Sequence, residues 1–580
     1  MKSLKKIFQY VEPYTAFAIL APLLMCVEVA MDLLQPMIMQ KIIDVGIVNN
    51  DNAYVIKLGL IMILTAVIGL IGGAGSTIYS TKVAVNFAAD IRRDVFKKNQ
   101  KFSSENIDSF GVGKLITIVT NDVTSVQHAI MLMLRVFIRG PLLFIGAVVI
   151  VWFTARELFP VLLVAIPILM ALIYFFSSQS GKLFVKVQKA MDQVNTKLQE
   201  NFAGIRVIKA FNRQVHEKET FRKVNDTLTK RNMSAEQVIL TLMPIIIFVV
   251  NIGVVAGMWM GAIKVNEGTL QVGVILAFIN YLNIIMNGLM SSSQVLMQIT
   301  RSFTSANRIT QVLDTEISIH EPETAFSLPE SRGDIEFREV NFSYSKNGEY
   351  VLKNITFRAK AGETIGIIGS TGSGKSTLVN LIPRLYDPDS GDILIDGVNS
   401  RNYSLERLRE TIGFIPQKAM LFSGTIEENL RFGKVDASLV DMKEAADSAV
   451  ATEFIEKLDG EFTHKLTQGA TNLSGGQKQR LSMARAFIRQ PKILVLDDST
   501  SAIDALSEAS VQQVLKQRYP KTTKFIISSK VSSIIDADQI LVIDDGRIEA
   551  SGSHEQLLVK SSVYREIYEM QSGREVLSYE

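Results

Sequence analysis

Gly369-Ser370-Thr371-Gly372-Ser373-Gly374-Lys375-Ser376 is the stretch on which the reading of this chain turns. It fits the phosphate-loop pattern: glycine, four residues, glycine, lysine, then serine or threonine. The glycines let the backbone curl so that successive N–H groups converge on one anion. A helix expected over Lys375 to Leu385 aims its positive end at the same place. Lys375 supplies a point charge for the β- and γ-phosphates, and the Ser376 hydroxyl is suited to Mg²⁺. The flanks agree, since Thr364-Ile365-Gly366-Ile367-Ile368 reads as a short buried strand.

The rest of the chain gives that loop its setting. At 580 residues it holds more than one domain, and a net charge of +3 gives no reason to expect nucleic acid as a partner. The single cysteine, Cys26, cannot form an internal disulfide, so no oxidising compartment is implied. The basic start Met1-Lys-Ser-Leu-Lys-Lys lacks a cleavage-site pattern and reads as a retained cytoplasmic end.

Apolar residues crowd into the first half. Stretches near 16–39, 57–80, 131–153, 158–178, 238–262 and 270–298 are each long enough to cross a bilayer, which takes about 20 residues. The connections at 81–130 and 179–237 are long and basic, with Arg92, Arg93, Lys97 and Lys98 in the first. The other connections are short and carry little positive charge. The positive-inside rule therefore places both long loops, and both chain ends, in the cytoplasm of a multi-pass cell-membrane protein. Residues 179–237 show helical spacing and extend the fourth and fifth spans. The mid-loop stretches Phe102–Phe110 and Asn201–Lys209 read as docking tips.

Some charges lie inside spans. Glu28 and Asp32 share a helical face, as do Arg135 and Arg139. Ionisable groups in a membrane rarely face lipid, so these either pair with one another or line a cavity that attracts cationic cargo. Asn280, Asn283 and Asn287, with Met286 and Met290, are candidates for the same cavity or for helix packing.

Residues 301–333 read as a polar connector containing Glu321-Pro322-Glu323, and 334–580 as a soluble α/β domain. Leu473-Ser474-Gly475-Gly476-Gln477 follows the phosphate loop at a family-typical distance. Together these two motifs resemble the ATP-binding-cassette exporter family. The likeness covers essentially the whole chain, as a half-transporter. It implies a multidomain membrane protein: a six-helix all-α transmembrane domain of the type I exporter kind, 1–300, then a phosphate-loop nucleotide-binding domain. It also implies roles. Tyr344 would stack on adenine, and Thr377 would join Gly369–Ser376 at the phosphates. Ser376, Gln417 and Asp497, the last ending Ile493-Leu-Val-Leu-Asp497, would hold Mg²⁺. Leu473–Gln477 and Asp504 would serve an ATP shared with a partner chain. The two tips would be coupling helices.

Two positions depart from the family. Asp498 stands where a glutamate polarises the attacking water, and Ser529, beside Lys530, stands where a histidine senses the γ-phosphate. Gln468 replaces a common glutamate ahead of the signature. Binding residues are kept and hydrolytic ones weakened. This resembles the degenerate-site subunit of a bacterial heterodimeric multidrug exporter, whose partner is a second, non-identical half-transporter. The expected cargo is amphipathic and small, with lipid or peptide as alternatives. A nucleotide-gated regulatory subunit and a slow homodimeric exporter are the rival readings.

Overall fold

The computed structural model describes residues 2–322, 331–345 and 348–572, of which 2–4 and 292–301 are described by their backbone. Glu323, the 323–330 part of the expected connector and residues 573–580 of the last domain lie outside the described residues. The chain divides into two compact units. One holds residues 1–100 and 112–315; the other holds 101–111 and 316–580.

The first unit has six helices long and apolar enough to cross a membrane among the described residues. They run through Thr15–Lys41, Asn52–Lys101, Val123–Thr154, Phe159–Ala203, Gln214–Asn266 and Val272–Asp314. Asn52–Lys101, with 50 residues, is roughly 75 Å long at 1.5 Å per residue, far more than a bilayer core of about 30 Å. The second span therefore continues into water, as do the fourth and fifth. Apolar residues on the outer faces stay uncovered by protein: Leu70, Phe153, Leu163 and Trp259 are among them. That is the pattern of lipid-facing surface, where burial against protein is not required.

Small residues bring these helices close. A side chain at Gly288 would meet the Gly140 carbonyl at 2.9 Å, and one at Gly73 would meet the Glu28 carboxylate at 2.7 Å. Three of the intramembrane charges pair. Arg139 Nη2 lies 3.1 Å from Glu28 Oε1 and 3.1 Å from Asp32 Oδ2. Asn280 and Asn283 turn their amides back to the carbonyls of Leu276 and Ile279, so they satisfy themselves along their own exposed face.

The last helix corrects one boundary. The connector was expected from residue 301, yet the helix continues to Asp314. Polar residues there are helical because they have partners. Ser305 and Arg308 both donate to the buried Asp122 carboxylate. Ser302 donates to the Ser125 carbonyl at 3.0 Å.

The second unit is built on a six-stranded sheet. Its order is Arg547–Gly552, Gln539–Asp544, Thr364–Gly369, Thr523–Ile527, Ile493–Asp497, Ile412–Ile415. The first pairing is antiparallel and the other four are parallel. Strands buried on both faces read as continuous apolar runs, and Ile493–Asp497 is buried at every position. A second sheet of four strands packs beside it, carrying Ile335–Phe342 and Leu352–Ala359. A helical portion over Leu439–Phe487 shares a core with the main sheet through Leu481, Met483, Leu494 and Leu496.

The short helix Ser104–Phe110 belongs to this second unit. Ser103 and Asn106 form its capping box. Asn106 also donates to the Glu316 carbonyl and accepts from Ser318 N. The helix Ile205–Ala210, at the other expected tip, buries none of its residues.

Candidate active site

Three adjacent parallel strands deliver the candidate residues to one edge. Ile527 pairs with Ile367 on one side and with Asp497 on the other. The segments after these strands are the phosphate loop, Asp498 and Ser529. They emerge side by side at the carboxyl ends of the strands, where ligands bind in open α/β sheets.

The loop is shaped by sterics. Gly369 could not carry a side chain, since a Cβ there would lie 2.0 Å from the Ile543 carbonyl. Gly372 has φ +85 with open space around it, a left-handed turn that glycine adopts at little cost. The helix that follows is shorter than expected: it covers Lys375–Asn380 and ends before Leu385. Pro383 explains the stop, because it lacks an N–H and disfavours helical backbone at Ile382.

Inside the loop, Lys375 Nζ donates to the Gly369 and Ser370 carbonyls at 3.0 and 2.7 Å. Burial pushes its ammonium below the ordinary lysine range, while Asp498 and Asp497 pull it back up. Ser376 Oγ donates to Asp497 Oδ1 at 2.8 Å. Burial lifts the Asp497 carboxyl above its usual range; the Ser376 bond opposes this. Ser373 Oγ is buried with no hydrogen-bond partner. An orphaned hydroxyl in a cradle of backbone N–H groups, beside a half-buried ammonium, fits an anionic ligand. Ser376 and Asp497 also fit Mg²⁺, which is usually held by one or two carboxylates together with substrate phosphates and water.

The two departures sit on this network. Asp498 follows the buried strand with φ +44, a left-handed conformation that aspartate tolerates better than most residues. Its N–H donates to the Ile527 carbonyl at 3.1 Å. Its Oδ2 accepts from Gln417 Nε2 at 3.2 Å. Ser529 is an exposed bend two residues beyond Ile527.

Tyr344 is half exposed, and its hydroxyl lies 3.0 Å from Thr377 Oγ1. Its ring meets Tyr386 edge-on at 5.3 Å, and Tyr386 donates to Asp108 Oδ2 at 2.6 Å. Burial, the first cause, and Asp108 both push the Tyr386 phenol upward. The sequence reading did not single out Tyr386 or Asp108, because nothing local links positions 278 residues apart. Tyr386→Phe keeps the ring and removes the bond. It is expected to cost about 1–2 kcal/mol and lower the thermal midpoint of the full chain by roughly 3 °C, read by thermal unfolding. An unchanged midpoint would show that the bond contributes nothing.

The signature stands apart from this network. Ser474 caps the helix Gly475–Phe487, accepting from Gln477 N and donating its own N–H to Gln477 Oε1 at 2.8 Å. Leu473 is buried, whereas Gly475 has open space around it. Asp504 caps the helix Ala505–Arg518 through Ser507. The structure thus gathers Lys375, Ser376, Gln417, Asp497 and Asp498, and leaves the Leu473–Gln477 backbone turned to its own helix start.

Comparison with known proteins gives this arrangement its family. Residues 18–289 match the model of the ABC transporter transmembrane region, and residues 352–501 match that of the ABC transporter. The chain is 41% identical over 572 residues to the Uncharacterized ABC transporter ATP-binding protein YfiB of Bacillus subtilis (strain 168), covering 99% of each. It is 33% identical to a further ABC transporter ATP-binding protein, from Mycobacterium tuberculosis (strain CDC 1551 / Oshkosh), over 97% of each. Its fold is similar to a solved structure of a bacterial Atm1-family ABC exporter with ATP bound. That match has a TM-score of 0.78 and 24% identity, over 98% of this chain and 99% of that one. Six membrane helices followed by one ATPase domain in a single polypeptide is the half-transporter layout, and this chain belongs to the ABC transporter family.

Proposed function

We propose that this chain is one subunit of a heterodimeric ATP-driven exporter that moves amphipathic compounds, multiple drugs foremost, out through the plasma membrane. The observation that carries this reading is the state of Asp498 and Ser529 beside an otherwise complete binding loop. Asp498 is one methylene shorter than glutamate, so its carboxylate is withdrawn by about 1.5 Å, and misplacement of about 1 Å can cost on the order of 100-fold. It is also bonded to Gln417. Ser529 has no imidazole to donate toward charge that develops in the transition state.

Each remaining residue has a role in this reading. Tyr344 stacks on adenine. Lys375 leaves the Gly369 and Ser370 carbonyls for the phosphates, and the N–H groups of 369–376 surround them. Ser376, Asp497 and Gln417 would hold Mg²⁺, which would supply neutralisation of phosphate charge. The Leu473–Gln477 helix start completes the partner's site, where a glutamate and a histidine do the hydrolytic work. ATP binding closes the paired domains. The tips at 102–110 and 201–209 pass that closure to the spans. Exposed Phe202, Val207 and Phe211 around the second tip support a docking role there. The basic long loops support cytoplasmic ends and a cytoplasmic ATPase domain.

Bacillus subtilis (strain 168) alone carries several chains related to this one, among them YfiB, YfiC, YknU and YknV, so an organism can supply a non-identical partner. The test is co-purification from the native membrane. A co-purifying half-transporter with glutamate and histidine at the positions of Asp498 and Ser529 is the expected result. Recovery of this chain paired only with itself would sink the heterodimer.

A further inference from the structure

The segment Ser528–Ser533 is held from two sides by residues to which nothing above gives a role. Gln571 sits in the final turn of the helix Ser562–Ser572. Its Nε2 donates to the Ser529 carbonyl at 2.7 Å, and its Oε1 accepts from Val531 N at 2.8 Å. One amide thus brackets Lys530 with a donor and an acceptor, as a strand neighbour would. From the other side, Glu508 accepts from Ser533 Oγ at 2.5 Å and pairs with Lys530 Nζ at 3.4 Å. Gln512 Nε2 adds a bond to the Ser533 carbonyl at 3.2 Å. Glu508 and Gln512 lie on the helix that Asp504 caps.

The helix that carries Gln571 is itself firmly seated. Tyr564 is fully buried, shares a core with Val531 and Ile534, and its hydroxyl lies 2.8 Å from His554 Nδ1. Gln571 itself is exposed, two turns beyond Tyr564, and reaches the short segment that follows the strand Thr523–Ile527. Ser529 lacks the reach of a long side chain, so what this loop presents to a nucleotide depends on where its backbone stands.

We propose that Gln571 is a positioning residue for the Ser528–Ser533 loop: the C-terminal helix sets the backbone at Ser529 and thereby the distance from this position to the terminal phosphate. Glu508 shares the load and ties the same loop to the segment around Asp504. The assignment of this loop to the terminal phosphate rests on the functional reading above; the clamp itself does not.

The test uses the full chain with ATP and three variants. Gln571→Met keeps the length and loses both bonds. Gln571→Glu keeps the acceptor for Val531 N and loses the donor to Ser529. Gln571→Ala removes the arm. Amide hydrogen exchange over 528–533 is expected to quicken roughly tenfold in the Met and Ala variants and by less in the Glu variant. Protection of Ser562–Ser572 stays unchanged. Any gain in kcat produced by Asp498→Glu with Ser529→His is expected to be lost when Gln571→Met is added, with KM for ATP held within about twofold. Wild-type exchange in the Met variant would overturn the proposal. So would loss of protection across the whole C-terminal helix, which would make Gln571 a packing residue. If Asp498→Glu with Ser529→His gives no gain while exchange still quickens, the degenerate-site reading fails and the clamp stands.

Discussion

Purified without a partner, this chain is expected to turn over ATP on the order of 100-fold more slowly than the paired complex. On the proposed function, two separate differences lead there. The carboxylate at 498 is short, and Gln417 occupies its Oδ2. The position at 529 offers a hydroxyl in place of the imidazole donor that the proposed function assigns to the partner. Binding should survive, because Lys375 stays within the loop on the Gly369 carbonyl and Ser376 stays bonded to Asp497. The measurement pairs steady-state ATPase with ATP binding on the same preparation. Tight binding with slow turnover supports the asymmetric reading. Brisk turnover by a self-paired dimer would make this chain a homodimeric exporter. Turnover that no partner and no cargo can raise would make it a regulator.

The second large effect is a recovery. Asp498→Glu with Ser529→His is expected to raise turnover on the order of 100-fold, whereas either change alone should give less than about 10-fold. Groups that act as a unit are not additive. The glutamate change also meets a backbone cost, since φ at 498 is +44 and glutamate has none of the local bonding that eases aspartate into that region. Rates for the wild type, both singles and the double decide the matter. A large gain from Asp498→Glu by itself would show that the missing histidine matters little.

The sequence disclosed the parts of this protein whose physics is local. A phosphate loop is legible because glycine freedom, a lysine and a hydroxyl must fall within eight residues. The spans are legible because a bilayer demands unbroken apolar length. What stayed hidden depends on partners far along the chain. Arg308 looked like connector until Asp122, 186 residues away, made it helical. For Arg139 the sequence leaves pairing and cavity-lining open, and the choice falls to pairing only through Glu28 and Asp32, more than 100 positions away. Gln571 has no neighbouring pattern to announce it; its meaning comes from Ser529, 42 residues earlier. The helix after the phosphate loop is shorter than its apolar pattern suggests because Pro383 ends it.

The allegiance of Ser104–Phe110 has a practical consequence. A soluble fragment begun at residue 334, the boundary the sequence proposes, would discard that helix together with the Glu316 carbonyl and Ser318 amide that hold it. It would strip Tyr386 of its acceptor, one aromatic ring away from the candidate adenine shelf at Tyr344. Truncated preparations would therefore report on a different molecule, and crystallographic or calorimetric work on the isolated ATPase should begin by residue 316 and restore a peptide spanning 101–111 before its nucleotide affinities are taken as native.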